Sequence, residues 1–362
     1  MPPQKRRRAY STGNPDVDER IRAIIAEYGA KDPDLAFEIV ATALRLSRDE
    51  VGRLDRKIVN SALKEMRYAF RVFAPYRHER KVTIFGSARS APTDPDYIAA
   101  RDFAKEIVSR GWMVVTGAGP GVMEGAQEGA GGERSFGVNI RLPFEAQPNQ
   151  FIAEDPKLIN FKYFFTRKLM FIKEADAFVL CPGGFGTLDE TFELLTLIQT
   201  GKSDLHPIVL LDPPGGKFWT AFDTWVHDVL IAGGYVSPED EQLYMRTDDI
   251  NEAVAEIERF YRVYHSQRFV AGRLVLRLKV MPDAATLQRL SDEFADVITR
   301  GAIEPVEPSP EEIKDDDTVD LPRIALWFDR MRFGRLRILI DRLNELDVPP
   351  EAELPAGKAT AR

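Results

Sequence analysis

A chain of 362 residues with 44% hydrophobic content is long enough for a large core with appendages, or for two domains. Lys plus Arg total 49 against 57 for Asp plus Glu, a net charge of −8 that describes a soluble acidic globule and gives no reason to expect a nucleic-acid partner. Cys181 is the sole cysteine, which excludes an internal disulfide framework and any multi-cysteine metal site.

The histidines His78, His206, His227 and His265 are scattered without metal-ligand spacing, so neither a metal nor a cofactor is expected. A Mg²⁺ ion carried in on a substrate phosphate would leave no such signature. No apolar run approaches the roughly 20 residues that span a bilayer. A membrane partner is therefore not expected, and a reducing cytoplasm is the simplest location.

In chain order, residues 1–15 hold the only strongly basic stretch, Lys5-Arg6-Arg7-Arg8, near Pro2, Pro3 and Gly13. This reads as a disordered tail, with a nucleic-acid arm as the other reading. Residues 16–79 show helical periodicity, as in Leu35, Phe37, Ile39, Val40, Ala43, Leu44 and Leu46, and predict a helical extension. From 80 to 262, β-rich runs at 82–85, 112–116, 136–140, 177–181 and 208–211 alternate with helical stretches. That alternation predicts an α/β fold, a Rossmann-like parallel sheet with helices on both faces. Residues 265–348 predict a small α+β module of ferredoxin-like kind: strand 274–280, helix 284–300, strand 303–306, an acidic loop at 311–317, strand 323–328 and helix 336–346. Residues 349–362 read as a frayed tail.

The most informative stretch runs from Ala177 to Glu190, an apolar strand, then Pro182-Gly183-Gly184-Phe185-Gly186, then a helix. Three glycines in four positions let the backbone approach a ligand, and the N–H groups at the helix start favour an anion such as phosphate. Thr187 to Glu190 also fits a capping box, with Thr187 at the cap. Upstream, residues 161–173 predict a helix whose buried arc holds Phe161, Phe164, Phe165, Leu169, Phe171 and Ile172, with Lys168 inside the arc and Arg167 at its border. A cation so placed either snorkels to solvent or meets an anion at the strand ends.

A second cluster, Gly117-Ala-Gly119-Pro-Gly121-Val-Met-Glu124, fails the dinucleotide fingerprint, because Val122 stands where the third glycine should be. A turn serving a mononucleotide or sugar fits it better, and plain turn chemistry is the alternative. After the first strand, Ser87 and Arg89 reach the same carboxyl edge of the sheet, where ligands of open α/β sheets sit.

Together these residues resemble the Lonely Guy (LOG) family, the cytokinin riboside 5′-monophosphate phosphoribohydrolases, and its bacterial relatives that hydrolyse AMP and other nucleotides. The resemblance rests on Arg167-Lys168 followed by Pro182-Gly-Gly-Phe-Gly-Thr-Leu-Asp-Glu190, on Gly86-Ser87, on the stretch from Gly117 to Glu124, and on Gly137 to Glu145 leading to Gln147-Pro-Asn149. It covers about half the chain.

The resemblance implies that Arg167 and Glu190 are catalytic. It also implies that Ser87, Gly119, Glu124, Glu145, Lys168, Gly183, Gly184, Gly186, Thr187 and Thr196 bind the nucleoside 5′-monophosphate, and that the protein is a homodimer or larger homo-oligomer. Short members of the family lack the segments before residue 80 and after 265. Two other readings compete: a non-catalytic carrier of a nucleotide or of the molybdenum cofactor, which uses a similar phosphate loop, and a lysine decarboxylase, for which no pyridoxal-phosphate lysine context is visible.

Overall fold

The computed structural model describes residues 10–141, 147–315 and 317–346; the basic stretch at 5–8, Glu145 and the tail at 349–362 lie outside them. The chain divides into two compact units, one up to Lys64 and one from Glu65 onward. In the first, α1 (Pro15–Tyr28) and α2 (Pro33–Arg48) each start on proline, whose missing N–H has no intrahelical partner to lose. The Asn14 side chain accepts from the N–H groups of Asp16 and Val17 and closes the first turn of α1. Ile21, Ile25, Phe37 and Ala41 form a small core between the two helices, and the Arg22 guanidinium lies 4.0 Å from the Phe37 ring centre. The third helix, α3 (Arg53–Phe73), begins in this unit, and its residues from Glu65 on belong to the second.

The second unit alternates β1 (Lys81–Phe85), α4 (Pro95–Ser109), β2 (Met113–Thr116), α5 (Val122–Ala130), β3 (Ser135–Ile140), β4 (Leu158–Phe161), α6 (Phe164–Lys173), β5 (Ala177–Leu180), α7 (Phe185–Gln199), β6 (Ile208–Leu211), α8 (Phe218–Trp225), β7 (Met245–Thr247) and α9 (Ile250–Phe260). The seven strands make one parallel sheet in the order β4-β3-β2-β1-β5-β6-β7. Four of its five inner strands, β1, β2, β5 and β6, are buried at every position, as expected of a sheet covered on both faces. The chain moves one way along the sheet from β1 to β2 and the other way from β5 to β6. Right-handed crossovers therefore place α4 and α7 on opposite faces. The reversal falls between β1 and β5, the kind of switch point at whose carboxyl edge ligands of open α/β sheets sit.

The strand β4 was not expected, and it takes Phe161, the residue at which the sequence reading begins the helix over 161–173. α6 starts only at Phe164 and buries Thr166, Met170 and Phe171, while Phe164, Phe165 and Leu169 face outward. β7 also went unpredicted, being only three residues long.

The C-terminal part contains β8 (Tyr264–Val270), β9 (Arg273–Leu278), α10 (Ala284–Glu293), β10 (Ile298–Pro305), α11 (Pro310–Lys314), β11 (Arg323–Phe328) and α12 (Phe333–Asn344). The strands form an antiparallel sheet of four in the order β10-β11-β9-β8. β9-α10-β10 is thus a split β-α-β unit with β11 inserted, the arrangement of a ferredoxin-like sheet. Its outer strand, β8, precedes the unit in the chain instead of following it. The expected helix over 284–300 ends at Glu293, because the β-branched run from Ile298 pairs with β11.

The acidic stretch expected as a loop contains the short helix α11, closed by a capping box between Ser309 and Glu312. Arg277 and Arg323, direct cross-strand neighbours, account for its position. Both bond Glu312 Oε1, at 2.7 and 2.9 Å, which removes the repulsion between them. Among the described residues no helix is long and apolar enough to cross a membrane.

Candidate active site

Register places the site before any side chain is considered. Phe85 pairs with Leu180, and Leu180 with Leu210, so β1, β5 and β6 end level with one another at the carboxyl edge. Two residues beyond β1, the Ser87 N–H donates to the Pro182 carbonyl at 3.0 Å, and the Ser87 carbonyl accepts from Val122 N–H at 2.9 Å. The loops after β1, β2 and β5 are thereby tied into one floor.

Two glycines make that floor possible. Gly121 has φ 71, and a Cβ there would sit 2.2 Å from the Ser87 carbonyl oxygen. A Cβ on Gly183 would sit 2.2 Å from Thr187 Oγ1 and 3.0 Å from Ser87 N. No side chain fits at either position. By contrast, a Cβ on Gly184 or Gly186 would meet nothing within 4 Å, so the loop is open on that side.

Helix α7 begins at Phe185, with Gly184 as N-cap and no side-chain cap. Thr187 therefore stands in the first turn and is not the cap the sequence suggested. The first capping acceptor is a backbone one, Leu188 N–H to the Gly184 carbonyl at 3.1 Å. The N–H groups of Phe185, Gly186 and Thr187 lie ahead of it with no intrahelical acceptor, and no acidic residue occupies the first turn. An anion completes such a terminus.

One turn further in, Glu190 is 7% exposed and faces two cations of α6, Arg167 and Lys168. Arg167 Nη2 lies 3.9 Å from Glu190 Oε1, and Lys168 Nζ lies 3.8 Å from Glu190 Oε2. Lys168 also contacts Asp189 at 2.8 Å and Glu193 at 2.6 Å, so an acid partner, and not snorkelling, accounts for its partial burial. The sequence held that signal unread: Asp189, Glu190 and Glu193 share one side of a helix at i, i+1, i+4.

The Arg167 guanidinium centre lies 5.1 and 5.4 Å from the ring centres of Phe164 and Phe171. Its Nη1 comes within 3.9 Å of where a Cβ on Gly117 would be, so it reaches toward the turn after β2. Burial pushes the Glu190 carboxyl up to about 7; Lys168 and Arg167 pull it down, while Glu193 and Asp189 push it up. Burial also opposes the Lys168 charge, but hydrogen bonds to Asp189 and Glu193 outweigh it and hold the ammonium above the usual lysine range.

The other candidate residues are placed as follows. Ser87 lies on the floor, and its Oγ accepts from Arg89 N–H at 3.1 Å. Gly119 lies in the turn after β2, held by Asn149, whose side chain donates to the Gly119 carbonyl at 2.9 Å and to Gln127 Oε1 at 2.7 Å. Asn149 has a structural part here that the sequence reading quoted but did not assign. Glu124 stands in the first turn of α5 and accepts from Gln150 at 3.4 Å. Thr196 is exposed on α7, on the same side of the helix as Asp189 and about two turns beyond it.

Residues 121–257 match the model of a family described as "Possible lysine decarboxylase". The cytokinin riboside 5′-monophosphate phosphoribohydrolase of Mycobacterium tuberculosis is 31% identical over 173 residues, which cover 46% of this chain and 87% of that protein. The enzyme of the same description named LOG3 in Arabidopsis thaliana is 26% identical over 185 residues, 50% of this chain and 83% of that one. Among solved structures, the molybdenum cofactor binding protein of Rippkaea orientalis is 19% identical with a TM-score of 0.35, covering 50% of this chain and 96% of that one. Identity of 31% sustained over 87% of the mycobacterial protein places the chain in a family: it belongs to the cytokinin riboside 5′-monophosphate phosphoribohydrolases, the LOG family.

Proposed function

We propose that the protein hydrolyses the N-glycosidic bond of nucleoside 5′-monophosphates, AMP-like ones and cytokinin riboside 5′-monophosphates among them, to free base and ribose 5-phosphate. One observation carries this reading: a buried carboxyl titrating near neutrality, Glu190, stands beside two cations one turn behind an open, anion-seeking helix start. Five residues along α7 span about 7.5 Å, a separation suited to a 5′-phosphate at one end and an anomeric carbon at the other.

In this reading the phosphate takes the N–H groups of the Gly183–Thr187 loop and the Thr187 hydroxyl. Water adds to C1′ as the C1′–N bond breaks, the ribose gains positive charge, and the Glu190 carboxylate stabilises it while accepting the proton from water. The departing base takes a proton from solvent and Glu190 then returns its own to solvent, so the net change is the addition of one water across the C1′–N bond. Arg167, reaching toward the Gly117 turn, holds the nucleotide from the β2 side, and Lys168 keeps enough of Glu190 ionised at neutral pH to act. Ser87, Gly119 and Glu124 line the floor. Glu145 and Thr196 stay assigned to substrate by family resemblance alone.

A carrier needs the phosphate cradle but gains nothing from a carboxyl held near pH 7 beside it. The exposed Phe164, Phe165 and Leu169 of α6 and Phe185 and Phe192 of α7 form an apolar rim around the site, which supports a homodimer. The single buried thiol, Cys181, suits a reducing compartment, and we place the enzyme in the cytoplasm.

The test is chromatographic: base release from AMP, GMP, CMP, UMP and isopentenyladenosine monophosphate, by the native protein and by Arg167→Ala and Glu190→Ala. Release lost in both variants supports the hydrolase. No release from any nucleotide by folded protein, with tight nucleotide or pterin binding retained, turns the reading to a carrier.

A further inference from the structure

We propose that Glu65, on the helix that precedes the Rossmann-like core, is a positioning residue for the active site: it fixes the first turn of α6 and through it the placing of Arg167 and Lys168. The inference rests on the assignment of those two cations to the site under the proposed function.

α6 lacks a cap of its own. Tyr163 is its N-cap residue and makes no side-chain cap bond. A carboxylate from another helix supplies what is missing. Glu65 Oε1 accepts from the Lys162 N–H at 3.2 Å, and Glu65 Oε2 accepts from the Thr166 hydroxyl at 2.7 Å. The first bond holds the chain just before the helix, the second holds the residue next to Arg167. Thr166 is fully buried, and its one hydroxyl proton has two acceptors there, Glu65 Oε2 and the Tyr163 carbonyl at 2.9 Å, so Glu65 and the first turn of α6 meet at this hydroxyl. A negative charge at this end of α6 also matches the helix dipole.

The support that Glu65 offers is itself rigid. On the same helix Ala69 and Phe73 are buried in the main core, and Phe73 stacks on Phe136 of β3 at 4.4 Å and 21°. Lys173, at the far end of α6, lies 5.3 Å from the ring centre of Phe70, a second tie between α3 and α6. Thr83 of β1 donates its hydroxyl to the Phe171 carbonyl at 3.3 Å and pins the back of α6 to the sheet. The helix is thus anchored from below and behind, and Glu65 alone among these ties acts at the turn that leads into Arg167 and Lys168. Glu190 is faced by Arg167 and Lys168 from α6 and by Asp189 and Glu193 from its own helix, with the cations holding its carboxyl down. If the first turn of α6 loosens, both cations recede while both acids remain.

The experiment reads Glu190 directly. Its carboxyl titration is followed by ¹³C NMR without substrate, and kcat and KM for AMP are measured in parallel, on native protein, Glu65→Ala, Glu65→Gln and Thr166→Val. The expected result for Glu65→Ala and for Thr166→Val is a Glu190 midpoint above the native value, with kcat/KM lowered on the order of 100-fold, the scale of a misplaced catalytic group. Glu65→Gln, which keeps one acceptor oxygen of the two, lies between Glu65→Ala and native.

A lower melting temperature with the midpoint and kcat unchanged would show that Glu65 serves stability only and overturns the proposal. A fall in kcat with the midpoint at its native value overturns it too, since the cations have then kept their places. A midpoint that moves in a protein with no native base release upholds the positioning and overturns the hydrolase reading instead.

Discussion

Replacing Lys168 with methionine keeps most of the stem and removes one charge, so it isolates what that cation does for Glu190. The two groups stand 3.8 Å apart. At an effective dielectric of about 20, unit charges at that distance interact by about 4 kcal/mol, or roughly 3 pKa units. Lys168 shares its charge with Asp189 and Glu193, and Asp189 is largely exposed, so solvent screening reduces the shift to about 1–2 units. Its loss also leaves those two carboxylates unopposed, which acts in the same direction.

The Glu190 carboxyl, held at about 7 in the native protein, then rises. The ionised form needed for catalysis appears only at higher pH. The acid limb of the pH–kcat profile for AMP hydrolysis moves up by at least about 1 unit. Activity at pH 7 falls about 5- to 50-fold and returns toward native by pH 9. Base release by chromatography at closely spaced pH values measures it. An acid limb that stays in place while KM alone rises would mean that Lys168 serves only the nucleotide, and would refute the electrostatic account of Glu190.

Four further outcomes follow from the same geometry. Glu190→Gln should stabilise the fold at alkaline pH. The native carboxyl is raised from 4.5 to about 7, so the folded state holds more protons than the unfolded one between those values, and stability falls as pH climbs through them. Glutamine escapes that loss, worth about 3 kcal/mol, so its melting temperature should exceed native at pH 8 and match it near pH 4; equal melting temperatures at both would refute the shift.

Gly183→Ala should lower both melting temperature and activity, because its Cβ has no room beside Thr187 and Ser87. Gly184→Ala, with open space around it, should leave the melting temperature unchanged and raise KM for AMP by about tenfold through crowding of the phosphate; inhibition by inorganic phosphate should weaken in parallel. If the apolar rim is the proposed dimer interface, Phe165→Glu with Phe185→Glu should lower the native light-scattering mass to that of a monomer; a mass equal to that of the native protein would refute that placement.

The sheet was legible where strands are wholly buried and bounded by glycine or polar residues, as in β1, β2, β5 and β6. It was illegible where one apolar run held two elements. Residues 158–165 pass from β4 into α6 through an aromatic stretch whose periodicity fits either state. The outward Phe164, Phe165 and Leu169 then shifted the inferred buried arc, since hydrophobicity does not tell a core from an apolar rim. The open helix start was legible in its backbone chemistry, because Gly184 and Gly186 leave that terminus uncovered. Thr187 was read as a cap because Thr followed three residues later by Glu is the capping-box pattern, whereas the helix begins two residues earlier, at Phe185. The partners of Lys168 and the role of Glu65 were hidden for another reason: they depend on which face of a helix meets which, and Glu65 lies about 100 positions from the turn it holds.

The position of β1 between β2 and β5 has a kinetic consequence. Its pairing with β2 joins neighbours linked by a single crossover, whereas the tie of Lys81 N–H to Asp176 bridges 95 positions. The β1-to-β3 half can form from nearby sequence, while closure onto β5 waits for a long loop to find its end. Until then β1 presents an open edge, the kind that invites pairing with another chain. The floor that joins the loops after β1 and β5 exists only after that closure. A nucleotide that binds there meets the native state and nothing earlier, so it should slow unfolding while leaving the folding rate unchanged.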